Sequence, residues 1–226
     1  MDTSVQPRFQ PRPRQLVVAV DGHSMFYAQQ KLGWFFDPRR LLQHASAQAG
    51  LELAGAFWYA GLKDPSDQRP FRDALTSLGF TVRTRPLREL APPAAANGGG
   101  AHAGEAEHRL PEHRQLEHRQ LEHRAPEPRP VEQRHFVRAN LDVEVAVDLM
   151  MVAPRTDEVW LLSGSRDLDR LVEVLRAKGL RITLISTEGM VARELRNAAD
   201  GFVDLASLRG VLEKAESIQQ PVFLRT

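Results

Sequence analysis

The chain has 226 residues, 42% of them apolar and 26% charged, with a formal net charge of +1. That is enough for one sizeable domain with tails, and the charge singles out no class of partner. There is no cysteine, which excludes disulfides, thiolate metal sites and cysteine nucleophiles. No apolar run reaches the ~18 residues of a membrane span. The N-terminal stretch, with Arg8, Arg12 and Arg14, lacks the apolar core of a signal peptide. The expectation is a cytoplasmic protein that does not enter a membrane.

Residues 1–15 read as a flexible basic tail. Leu16 to Val20 is a short apolar run that stops at Asp21-Gly22-His23-Ser24, a buried strand delivering its end to a tight turn. Asp37 and Pro38 signal an N-cap and a first helical position, with Leu41, Leu42, Ala45 and Ala49 carrying a helix to Gly50. A second strand spans Leu53 to Tyr59, a helix runs from about Gln68 to Leu78, and Phe80 to Thr84 forms a third strand. Asn140 to Met151 reads as an apolar helix with acids near its start. Val159 to Leu162 is a fourth strand, which Ser163-Gly164-Ser165 turns into a helix from Asp167 to Lys178. Leu180 to Ile185 is a fifth strand. A helix over Ala192 to Ala199, the apolar pair Phe202-Val203 and a last helix from about Ser207 to Glu216 follow, and residues 217–226 read as a flexible tail.

Residues 91–134 differ. Glu107, Glu112, Glu117, Glu122, Glu127 and Glu132 recur at a fixed spacing, as do Arg109, Arg114, Arg119, Arg124, Arg129 and Arg134. This pentad period matches neither the ~3.6 of a helix nor the 2 of a strand, so it creates no single apolar face. Pro111, Pro126, Pro128 and Pro130 oppose regular structure further. The segment is expected to be a disordered insertion within a domain spanning 16–216.

Alternating strands and helices predict an α/β domain around a mainly parallel sheet of about five strands. Every strand-to-helix turn then lies on one edge, where open α/β sheets bind ligands. Asp21, Asp142 and Asp167 come from distant parts of the chain and are predicted to converge there. Carboxylates on rigid elements hold Mg²⁺ or Mn²⁺, which activate water against phosphodiesters. Neither G-x-G-x-x-G nor a phosphate loop follows the first strand, which argues against dinucleotide and P-loop chemistry.

The strand ending Asp21-Gly22, the stretch Asn140-Leu141-Asp142-Val143-Glu144-Val145-Ala146-Val147-Asp148 and the turn Ser163-Gly164-Ser165-Arg166-Asp167-Leu168 together resemble the NYN domain, a branch of the PIN-like nuclease superfamily. The closing segment Arg193 to Leu205 is similar to that family's as well. The resemblance implies a PIN-like Rossmannoid three-layer fold and metal-dependent RNA cleavage. It makes Asp21, Asp142 and Asp167 catalytic and metal-binding through Mg²⁺ or Mn²⁺, with Ser24, Ser163, Ser165 and Asp148 in support. Ser24 stands where the family usually has Asn, and Ser165 where it has Asp, so the resemblance also implies weakened ion affinity. Asp148 is offset from Asp142 by about 120° on an ideal helix and is not expected to share its ion. Asp169 points to a different side again.

Lys63, Arg69, Arg138, Arg166 and Arg193 are candidates for receiving an RNA backbone. Tyr59 could stack on a base, although core packing is expected for one of Trp58 and Tyr59. Against the ribonuclease stands a non-cleaving NYN module that binds RNA or a protein, with protein partner and homo-oligomeric state left open.

Overall fold

The computed structural model describes residues 12–64, 66, 68–90, 135–137 and 141–214. The expected insertion over 91–134, the tail up to residue 11 and the tail from 217 lie outside the described residues. Residues 89–136 are divided off as a second unit, and β4 (Arg88–Leu90) and β5 (His135–Val137) pair as a two-stranded sheet.

The main sheet has six strands: β1 (Arg14–Asp21), β2 (Leu51–Leu62), β3 (Phe80–Pro86), β6 (Glu158–Leu162), β7 (Arg181–Ser186) and β8 (Gly201–Asp204). Their order is β3-β2-β1-β6-β7-β8, and each of the five pairings is parallel. This is the doubly wound order, in which the chain builds outward from β1 in one direction and then in the other. The switch falls between β1 and β6. The sheet exceeds the expected number of strands because Gly201–Asp204, too short to read as a strand, pairs with β7.

Parallel strands buried on both faces carry continuous apolar runs. β1 buries Leu16 to Val20, and every residue of β6 is buried. Alternate residues feed two cores. Val17, Ala19, Phe57, Val159, Leu161, Ile182 and Leu184 pack with Leu149 of α4 (Asp142–Val152), Val172 and Leu175 of α5 (Asp169–Ala177) and Leu195 of α6 (Arg193–Ala198). On the opposite face Val18, Val20, Trp58, Trp160 and Leu162 meet Met25 of α1 (Gly22–Leu32), Leu41 of α2 (Pro38–Ser46), Leu75 of α3 (Arg69–Ser77) and Leu212 of α7 (Arg209–Leu212). Three layers result.

Several boundaries differ from expectation for local reasons. Asp21 caps a helix that begins at once at Gly22, where the sequence suggests only a turn. Asp37 caps α2 as expected, accepting from the Arg39 amide at 2.8 Å, but α2 stops at Ser46, before Gly50. The residues after β6 form a 3₁₀ turn, Arg166–Leu168, before α5 begins at Asp169. The last helix is a 3₁₀ turn (Leu205–Leu208) followed by the short α7.

Candidate functional site

The parallel register lines up one residue from each strand across the C-terminal end of the sheet, all on the face covered by α4 and α5. Arg83 pairs with Tyr59, and Tyr59 with Asp21. Ser163 follows Leu162, the partner of Val20. Ser186 follows Ile185, the partner of Leu162, and pairs with Asp204. The row Arg83–Tyr59–Asp21–Ser163–Ser186–Asp204 thus caps the apolar row Phe57–Ala19–Leu161–Leu184–Phe202 two residues below. A sheet that is apolar along its length becomes polar in one layer, at the edge where doubly wound folds bind ligands.

Asp21 is at the centre, on the β1 side of the switch, and is 6% exposed. Its Oδ1 accepts from the amides of His23 and Ser24, both at 3.1 Å. These are donors that the start of α1 leaves without intrahelical partners. Its Oδ2 accepts from Ser24 Oγ at 2.5 Å and from Ser163 Oγ, across the switch, at 2.9 Å. Ser163 Oγ in turn accepts from the Ser165 amide at 3.1 Å. The structure therefore brings Asp21, Ser24, Ser163 and Ser165 together, and four donors hold the carboxylate in one orientation. On this turn and on the neighbouring one at the end of β7, the buried hydroxyls of Ser165, Ser186 and Thr187 have no hydrogen-bond partner among the described residues. Buried hydroxyls are seldom left unpaired without a ligand or water to meet them.

The donor set is made of oxygen alone: a buried carboxylate, two hydroxyls on it and the Ser165 hydroxyl, which has no partner among the described residues. That suits a hard cation and not zinc or copper. Mg²⁺ commonly takes only one or two carboxylates and keeps several waters, so the residues fit such an ion. Ser24 and Ser163 point O–H dipoles at the carboxylate and would turn their lone pairs toward a cation. Among the described residues, no three acidic or imidazole side chains are grouped closely enough to hold a metal.

Asp142 opens α4 and is 9% exposed. Asp167 is exposed in the 3₁₀ turn against which α4 packs. Asp148 is committed elsewhere. Arg83 grips it with two hydrogen bonds, from Nε at 2.9 Å and Nη2 at 2.8 Å, and the Tyr59 hydroxyl donates to it at 3.3 Å. Sequence reasoning missed this assembly because Arg83 looks like any polar residue on an edge strand. Its only signal is register, since Arg83, Tyr59 and Asp21 end adjacent strands on one face.

Burial pushes the Tyr59 phenol well above its usual range, and the charge of Asp148 pushes it further. The raised folded-state value means that this contribution to stability is intact below the unfolded phenol's pKa, ~10, and is lost as pH rises beyond it. In a Tyr27→Phe protein, Tyr59 is the only tyrosine left of the two. Tyrosinate absorbance in that protein is expected to stay flat past pH ~10 and to appear together with loss of far-ultraviolet dichroism. An earlier rise with the fold intact would contradict the buried environment.

Of the basic candidates, Lys63 follows β2, Arg69 and Arg193 open α3 and α6, and Arg166 lies in the turn after β6. All four are exposed on the edge that carries Asp21. Arg69 reaches Asp73 at 3.9 Å and Arg166 reaches Glu194 at 3.8 Å. Such exposed, loosely held pairs are easily exchanged for a phosphate. Arg138 lies outside the described residues. No helix among the described residues is long and apolar enough to cross a membrane.

A three-layer α/β fold in the doubly wound order, with a carboxylate at its switch point, is the architecture of a PIN-like protein. The NYN domain profile matches residues 15–110 and 101–208, and the chain belongs to this family, a PIN-like nuclease family. It is 44% identical over 205 residues to the low amplitude and bright protein LabA of Synechococcus elongatus (strain ATCC 33912 / PCC 7942 / FACHB-805), covering 91% of each chain. The fold is similar to the crystal structure of a protein of unknown function, VPA0982, from Vibrio parahaemolyticus RIMD 2210633. That likeness has a TM-score of 0.56 and 20% identity, covering 87% of this chain and 95% of that one.

Proposed function

We propose that the protein is a divalent-metal-dependent ribonuclease acting at the C-terminal edge of β1 and β6. The observation that carries this reading is Asp21, a buried carboxylate at the switch point, held by Ser24 and Ser163 from opposite sides of the seam. Asp21 is the main anchor for Mg²⁺ or Mn²⁺, and Asp142 and Asp167 are the further carboxylates that would hold the ion, through water where they do not reach it. When bound, such an ion activates water and offsets the charge that builds on a phosphodiester.

The chain's own groups do the rest. The α1 amides fix the Asp21 carboxylate in advance through Oδ1, so only the two hydroxyls on Oδ2 would turn when an ion binds. Lys63, Arg69, Arg166 and Arg193 receive the flanking phosphates on the rim. Asp167, exposed in the turn after β6, would add its negative charge to the hold on the ion. Membership of a PIN-like nuclease family supports the reaction class. Cleavage of a labelled single-stranded RNA with Mn²⁺, halted by chelation and restored by the ion, tests it. RNA that is bound and never cut would instead indicate a non-cleaving module.

Ser165 gives a sharper test. Its hydroxyl is buried and without a partner among the described residues, so Ser165→Asp adds a carboxylate with no built-in partner on the turn that carries Ser163. Without metal the variant should lose ~1–3 kcal/mol of stability through like-charge repulsion and desolvation. With Mn²⁺ that loss should reverse, and ion affinity by calorimetry should rise on the order of tenfold. If affinity is unchanged and the instability persists in Mn²⁺, Ser165 does not face the ion.

A further inference from the structure

We infer that a second site, on the other face of the sheet end, takes an unpaired nucleobase. A cavity of about 550 Å³ opens between α1, α2, α3 and the end of β2. Phe26, Phe35, Phe36, Trp58 and Phe71 line it. The volume suits a small ligand, and aromatic walls with few polar groups are what a base stacks on. Within this wall Trp58 is 6% exposed. Its indole N–H lies beside Gly22, where an added Cβ would sit 2.9 Å from Nε1. Aromatic walls stack any of the four bases through their π-faces, so the cavity would hold a base without selecting one.

The position links the cavity to the chemistry. Gly22 lines it, and Gly22 follows Asp21 directly, so cavity and carboxylate are separated by the thickness of one strand. Arg39 and Lys214 are also in the wall and supply positive charge for the nucleotide's phosphate. The acid there, Asp37, is engaged in capping α2. Gln68, at the same wall, is the only non-glycine described residue with positive φ, at 57°. Strain of this kind collects at ligand sites. A strand of RNA crossing the edge would set a phosphate at Asp21 and drop a neighbouring base into the cavity. This placement rests on the RNA reading of the edge, whereas the cavity's affinity for a base does not.

The test is equilibrium binding in chelator, with cleavage off, of a short RNA carrying a fluorescent adenine analogue and of the same RNA made abasic at that position. Ala74 is exposed and lines the cavity, so Ala74→Phe fills it without disturbing the core, and Phe71→Ala removes one wall. Each variant should bind the base-bearing RNA about tenfold more weakly, the scale of one lost stacking contact, and the abasic RNA as the wild type does. Adenosine monophosphate should quench the wild type's tryptophan emission and leave Ala74→Phe unchanged, which separates a free nucleotide from a base delivered by RNA. Equal binding of both RNAs by all three proteins overturns the inference. So does base binding that appears only after residues 215–226 are removed, since the chain's own tail would then be the occupant. A protein that binds the base and never cuts RNA keeps this site and sinks the nuclease reading; one that cuts abasic and intact RNA alike does the reverse.

Discussion

Asp21→Asn is expected to lower RNA cleavage on the order of 10²–10³-fold, the usual effect of removing a fixed charge-stabilising group from a dry site, with the fold retained. Asparagine caps helices as well as aspartate does. Its carbonyl can face the amides of His23 and Ser24, and its NH₂ the hydroxyls of Ser24 and Ser163, which can rotate from donor to acceptor. The urea midpoint should therefore correspond to a change within ~1 kcal/mol. The negative charge is lost, and with it the principal hold on a cation. Cleavage at the wild-type rate would remove Asp21 from the mechanism, and a collapsed midpoint would mean that its role is structural.

Gly164→Ala is expected to cost about 3 kcal/mol of stability, in the range of overpacking a site that cannot yield. A Cβ at this position would lie 2.2 Å from the carbonyl oxygen of Met190 and 3.3 Å from its carbon. Both are backbone atoms, so no side chain can move aside. The loop after β7 would have to retreat, breaking the bond from the Ala192 amide to the Gly164 carbonyl at 3.3 Å and shifting Ser163 and Ser165 away from Asp21. Cleavage should fall along with stability. The control is Gly55→Ala, whose Cβ would meet only Val17 Cγ2 at 3.9 Å, an ordinary contact. Denaturation curves that move equally for both substitutions would mean that the approach at Gly164 is looser than it looks.

The sequence carries the architecture wherever burial dominates. The runs at 16–20, 159–162 and 180–185 are legible because parallel interior strands admit few polar residues. Asp37-Pro38 announces α2 because capping is local chemistry. β8 is obscured, since four residues that are only partly buried resemble a loop, and α1 is hidden by a start without a connecting loop. In the site, Asp21, Ser163 and Ser165 are legible because they sit where apolar runs stop. Which partner a carboxylate chooses is not legible. Asp148 belongs to Arg83 and Tyr59 through a register between β2 and β3 that no local pattern encodes. Three acids on one edge are an inference from topology, whereas the hydroxyls that hold Asp21 at the seam come from the register of β1 with β6.

The sheet order also sets a timetable. β2 and β3 follow β1 closely in the chain and occupy one side of it. The other side of β1 waits for β6, whose following residue Ser163 is 142 positions beyond Asp21. While the chain is being synthesised, β1 therefore presents an open edge, a template for wrong pairing, and long-range parallel pairing of this kind forms slowly. The same event that seals that edge brings Ser163 onto Asp21, so a nascent or half-folded chain has no assembled site. Any destructive activity toward RNA would be withheld until the seam between β1 and β6 has closed.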